Sequence, residues 1–98
     1  MKVRFTPRAR ADALRVQAWW EQHRPSAPGV FERELSSALE RLRATPGLGV
    51  PYERARLDAV VRRVLLRTTR HHLYYAHDGE DLAVLAIWGA ERGHGPRL

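Results

Sequence analysis

The stretch "VVRRVLLRTTRHHLYYAHDGEDLAVLAIW", residues 60–88, decides the fold, because the chain's apolar period changes to two there. "VVRRVLLR" (Val60–Arg67), "HHLYYAH" (His71–His77) and "DLAVLAIW" (Asp81–Trp88) read as strands. "RTTR" separates the first two, and "DGE", a hairpin signal, separates the last two. Such a spacing predicts a three-stranded antiparallel meander. A turn at Asp78-Gly79 pairs odd residues of one strand with even residues of the next. A turn across "RTTR" does the same when Leu66 stands opposite His71. In that register Val64, Leu66, Leu73, Tyr75, Leu82, Val84, Ala86 and Trp88 share one nearly apolar face. The opposite face is mixed and carries Arg63, Leu65, Arg67, His72, Tyr74, Ala76, Ala83, Leu85 and Ile87. A slip of one residue would exchange the faces.

Upstream the period is helical. "KVRF" (Lys2–Phe5) alternates as a short strand. Thr6-Pro7 then marks a helix start, with a hydroxyl N-cap and proline in the first helical position. Ala9 sits three residues after the cap, so no capping box forms. Ala9, Ala13, Val16 and Trp20 line one face, and the helix should end near His23-Arg24, before Pro25. Ser26 is the expected cap of a second helix, with Pro28 in its first turn. Phe31, Leu35, Ala38 and Leu42 repeat the helical spacing until "TPGLGVP" (Thr45–Pro51) stops it. The expected fold is therefore α+β: an N-terminal strand, an antiparallel two-helix hairpin, then the three-stranded antiparallel meander. Ninety-eight residues leave room for one core, so residues 1–98 are read as a single domain.

Seventeen Lys and Arg against eleven Asp and Glu give a formal charge of +6, and Lys2 is the only lysine among those cations. That balance suits a nucleic-acid surface, an acidic protein partner or a ribosome-like target. The arginine bias fits bidentate contacts to carboxylate or phosphate, and it equally fits a GC-rich coding bias. Without cysteine there are no disulfides or thiolate metal sites. No run approaches the length of a membrane span and "MKVRFTPRAR" lacks a secretion signal, so a cytoplasmic protein is expected. No metal site is expected either: His71 and His72 point to opposite faces, with no acid at ligand spacing. "GLG" lacks the following Lys-Ser/Thr of a phosphate loop, and Ser36 and Ser37 sit mid-helix, away from any nucleophile turn.

The end of the last strand lies opposite the start of the middle one, so residues after Trp88 emerge near Arg70, His71 and His72. Arg92 and His94 can thereby join Arg63, Arg67 and His72 at one end of the sheet. Two imidazoles with arginines are a sufficient kit for RNA cleavage. One deprotonates a 2′-hydroxyl, another protonates the leaving 5′-oxygen, and arginines stabilise the phosphorane. The same histidines also fit plain exposed residues beside turns.

The order of these pieces resembles the RelE/ParE toxin superfamily of bacterial type II toxin–antitoxin systems, over almost the whole chain. "VRFTPRARADALRVQAWW" matches a strand leading into a Thr-Pro helix start, and "FERELSSALERLRATPGLGVP" is similar to the second helix and its exit. "VRRVLLRTTRHHLYYAHDGEDLAVLAIWGA" resembles the meander, with Tyr75 near the end of its middle strand. The resemblance implies one of two activities. RelE-like members are ribosome-dependent endoribonucleases that cleave mRNA; ParE-like members inhibit DNA gyrase by protein contact. Carried over to this chain, the nuclease set becomes Arg63, His72, Arg92 and His94, with Leu65 at the second basic strand position. The C-terminal tyrosine has no counterpart, since the chain ends "GPRL". The helices resemble the ParE-like branch more closely, so the favoured expectation is a non-enzymatic gyrase inhibitor without cofactor. A growth-inhibiting toxin of the kind that stabilises plasmids is implied, together with a cognate antitoxin in a hetero-oligomer. Arg67, Arg70, His71, Arg92, His94 and Arg97 are the expected target contacts, and Phe5, Arg15, Trp19, Trp20 and Arg33 the expected antitoxin contacts.

Overall fold

Thr6 settles where the first strand stops and the first helix starts. In the computed structural model, which describes every residue except Arg54, Arg56 and Leu57, its side chain accepts from the Ala9 amide at 3.1 Å and Pro7 follows in the first turn. Strand β1 (Lys2–Phe5) therefore passes directly into α1 (Pro7–His23). Helix α2 (Val30–Ala44) starts at Gly29, in a left-handed conformation at φ 72°, and not at the expected Ser26 cap. Pro28 biases Ala27 away from helical geometry. The reversal then needs a positive φ, which glycine supplies without a steric penalty. A 3₁₀ turn (Pro46–Leu48) and a two-residue strand, β2 (Val50–Pro51), lead to the meander: β3 (Arg62–Leu66), β4 (His71–His77) and β5 (Asp81–Gly89).

The meander forms as expected, with Leu66 opposite His71. Two edge strands extend it, giving the order β1-β5-β4-β3-β2 with β1 parallel to β5. The helices cover one face. Leu42, Leu73, Tyr75, Leu82 and Val84 are fully buried there, and Phe31, Leu66 and Ile87 continue the core toward the α1 C-terminus. Truncating Leu42 to alanine in such a site costs about 2–5 kcal/mol. Tyr75 adds a polar tie: its hydroxyl accepts from the Gly49 amide at 2.9 Å and donates to the Pro46 carbonyl at 2.6 Å. The tyrosine thus fixes the exit from α2 against the sheet.

The register departs from expectation at one residue. Tyr75 pairs with Val84, but Tyr74 pairs with Ala86, so Leu85 is an unpaired bulge. Every later side chain in β5 changes face. Ile87 turns toward the helices, while Ala86 and Trp88, expected beneath them, join Tyr74 and Tyr52 on the opposite side. The bulge sits where β1 gives way to α1: Thr6 donates its amide to the Val84 carbonyl and its hydroxyl to the Leu85 carbonyl. Beyond that point α1 replaces β1 as the partner of the β5 edge. The Asp12 carboxylate, only 5% exposed, accepts from the Ile87 amide at 3.0 Å. Arg15 holds the same carboxylate at 2.6 Å, and Arg8 approaches it at 3.8 Å.

Candidate functional site

The sheet face away from the helices is built by alternation in β3 and β4 and by the bulge in β5. Arg63 stands opposite Tyr74, and His72 opposite both Leu65 and Trp88. The residues after β5 fold back over this face. Trp88 donates its indole N–H to the His94 carbonyl at 2.7 Å, and Tyr52 donates its hydroxyl to the Pro96 carbonyl at 2.8 Å. Arg8 donates to the Arg97 carbonyl at 2.6 Å. Leu98 packs with Tyr52, Tyr74 and Ala86, so the tail is a strap and not a fray. Gly95 permits the close approach, because a Cβ there would run into the Tyr52 ring and hydroxyl.

Beside the strap, a cavity of about 480 Å³ is lined by Arg63, His72, Tyr74, Trp88 and His94. The Arg63 guanidinium lies 5.8 Å from the Tyr52 ring centre and 3.4 Å from the Tyr74 hydroxyl. Burial pushes His72 below the ordinary imidazole value, and the positive charges of Arg63 and Arg70 push it further. Both effects favour its neutral form. The His94 ring stands edge-on to Trp88 at 5.8 Å, and the Arg92 guanidinium sits 4.2 Å over the same indole.

A second cavity, of about 470 Å³, opens between the C-terminal half of α1 and the β3–β4 turn. Trp19, Trp20 and His71 wall it, and Arg15, Arg24, Arg70 and Arg92 also line it. Trp19 is 46% exposed, stacked on His23 at 4.5 Å and edge-on to Trp20 at 5.7 Å. Burial lowers the His71 pKa more than the Thr69 backbone and the Glu34 carboxylate raise it. Glu34 fixes the turn itself, accepting from the Thr68 amide and from the amide and hydroxyl of Thr69 at 2.7–2.9 Å. Its own burial opposes ionisation, but those hydrogen bonds outweigh it and hold the carboxyl below its ordinary pKa.

Residues 3–93 match the family model described as the ParE toxin of the type II toxin–antitoxin system, parDE. The chain belongs to the ParE toxin family. The fold is that of solved toxins. The chromosomal ParDE toxin–antitoxin system from P. aeruginosa superposes with a TM-score of 0.65 at 19% identity, over 93% of this chain and 97% of that one. A YoeB/ParE toxin from Agrobacterium tumefaciens gives 0.58 at 19% identity, over 91% and 98%. The YoeB dimer from Staphylococcus aureus gives 0.58 at 14%, over 90% and 94%. None of the curated proteins matches the chain.

Within this ParE-family chain, the residues expected from sequence regroup. Arg63, His72 and His94 of the nuclease set share the strap-side cavity, whereas Arg92 is engaged by the Trp88 ring. Of the expected target contacts, Arg67, Arg70, Arg92, His94 and Arg97 are exposed, and His71 is half-buried on the helix side against Phe31. The expected antitoxin contacts divide. Arg15, Trp19 and Trp20 line the α1 cavity, but Phe5 packs into the core and Arg33 donates to the Pro28 carbonyl at the start of α2. Tyr52 and Arg8 escaped the sequence reading. Tyr52 lies outside any regular element, and both act on tail carbonyls, which leave no trace in side-chain spacing.

Proposed function

We propose that this ParE-family toxin inhibits DNA gyrase by protein contact and is neutralised by a cognate antitoxin. The strap carries this reading. The nuclease pattern implied by the resemblance calls for a tyrosine beyond the last strand, whereas residues 89–98 hold none and three of their carbonyls are tied to Trp88, Tyr52 and Arg8. Anchored in this way, the strap holds Arg92, His94 and Arg97 on the surface, and at its start the Ala90 amide donates to the Arg70 carbonyl. A fixed basic rim of arginines is suited to recognition, because guanidinium groups make directed contacts and little conformational freedom is lost on docking. The test is induction in cells with parallel readouts of plasmid topology and mRNA integrity. Loss of negative supercoiling with intact transcripts is the expected result; transcript cleavage with normal topology contradicts it.

The clustering of Arg63, His72 and Tyr74 favours a second reading, ribosome-dependent mRNA cleavage, in which neutral His72 is the base and Arg63 stabilises the phosphorane. Under that reading His72→Ala abolishes cleavage during translation. No cleavage by the wild type removes the reading altogether.

A further inference from the structure

Helix α2 buries Phe31, Ala38 and Leu42 and turns a basic stripe outward. Arg33, Ser37 and Arg41 follow one another at intervals of four residues on its exposed side. The helical rise sets the two arginines about 12 Å apart along the axis. Arg67, exposed just past the end of β3, completes the wall of a groove of about 540 Å³ between α2 and β3. Pairing within the fold does not account for these cations. Neither Arg41 nor Arg67 has a carboxylate or hydrogen-bond partner among the described residues, and Arg33 reaches only the Pro28 carbonyl, at 3.1 Å. The acid on the groove lining, Glu34, already binds the Thr68 and Thr69 amides with its two oxygens. No aromatic ring lines the groove; Leu66 is buried there, and Val30 and Leu65 are half-buried. A protein partner therefore finds no aromatic hot spot, and the bases of a single strand have nothing to stack on. A duplex backbone needs neither, because its phosphates are held by charge and hydrogen bonds.

We propose that the α2–β3 groove binds the phosphate backbone of duplex DNA without regard to sequence. Arg33, Arg41 and Arg67 each meet one phosphate, and Ser37 adds a hydroxyl between the two helix arginines. The 12 Å stripe spans about three to four base steps of a duplex, so three contacts fit its length. The biological setting rests on the gyrase reading, to which the groove adds a second ligand, the duplex that gyrase handles. Groove and basic rim adjoin. Thr68 lines the groove, and two residues on, the Arg70 carbonyl accepts from the Ala90 amide at 2.9 Å, where the strap begins. One basic surface thus meets the enzyme through the rim and its DNA through the groove.

The test is a titration of a dye-labelled DNA duplex with the full chain at several salt concentrations, followed by fluorescence anisotropy. Three phosphate contacts predict a slope of about −2.7 in log K against log salt, alike for two unrelated sequences. Arg41→Gln and Arg67→Gln should each reduce the slope by about 0.9 and bind roughly ten-fold more weakly at about 0.1 M salt. Arg41→Lys should keep the wild-type slope, since counterion release follows charge. Arg10→Gln, which removes an equal charge from the exposed side of α1, should leave the slope unchanged. A loss in Arg10→Gln equal to that in the groove variants would assign binding to net charge and overturn the site. Wild-type binding in both groove variants overturns it too, as does a single-stranded RNA or a polyglutamate peptide that outcompetes the duplex. A supercoiling assay run beside the titration separates this proposal from the gyrase reading. A chain that binds duplex as predicted but leaves supercoiling normal contradicts the gyrase reading and supports the groove. One that blocks supercoiling without binding duplex overturns the groove alone.

Discussion

At the scale of single residues, Asp12 links the sheet to the helix that replaces β1 along the β5 edge. Its carboxylate is the acceptor for the Ile87 amide and the anchor for Arg15. Asp12→Ala leaves that amide unpaired in a buried position, and a charge-assisted hydrogen bond of this kind is worth about 1.5–3 kcal/mol. Urea unfolding of the variant should show a loss of that size; a loss below the error of the extrapolation would mean water replaces the carboxylate. Glu34 acts on the neighbouring turn. Its folded pKa is depressed, so its contribution is complete above the unfolded value near 4.5 and fades as pH falls through the folded value. Glu34→Gln should therefore destabilise the protein at neutral pH and flatten the acid limb of its stability profile. His71 and His72 work in the window above. Both have lowered folded pKa values, so the unfolded chain takes up protons first and stability declines as pH drops below about 6.5.

At the scale of elements, the sequence displays periods but hides single insertions. The helices and the three main strands follow from spacing and from Thr6-Pro7, and the "RTTR" register follows from pairing Leu66 with His71. The bulge at Leu85 does not. Residues 82–88 are all apolar, and β5 is buried on both faces, so no polar residue marks the point where the alternation inverts. The two-residue β2 is too short to show any period, and the strap is built from backbone carbonyls. The site was legible to the same extent: the placement of Arg63 and His72 on one face could be read, and the shift of Trp88 onto that face could not. Gly95→Ala tests the strap as an element. The added methyl has no room against Tyr52, so the tail should lift from the Tyr52–Tyr74–Ala86 cluster. An apolar dye such as ANS should then bind the folded protein more strongly, with the far-UV spectrum retained. Unchanged dye binding would mean the strap accommodates the methyl group.

At the scale of the whole molecule, helices cover one side of the sheet and the strap covers part of the other. The charged groups collect where these layers end. Arg70, Arg92, His94 and Arg97 lie in or beside the tail, with Arg24 across the α1 cavity. The net charge of +6 extends the reach of that edge toward acidic partners, and association with either target or antitoxin should slow as ionic strength rises. No helix among the described residues is long and apolar enough to cross a membrane. The proposed action, poisoning by contact, requires only the folded chain and its target. The most direct measurement is a supercoiling assay in which purified protein is titrated into gyrase, ATP and relaxed plasmid. Supercoiling is expected to be blocked, or cleaved plasmid to accumulate, with added RNA left intact. Normal supercoiling at saturating protein would contradict poisoning by contact.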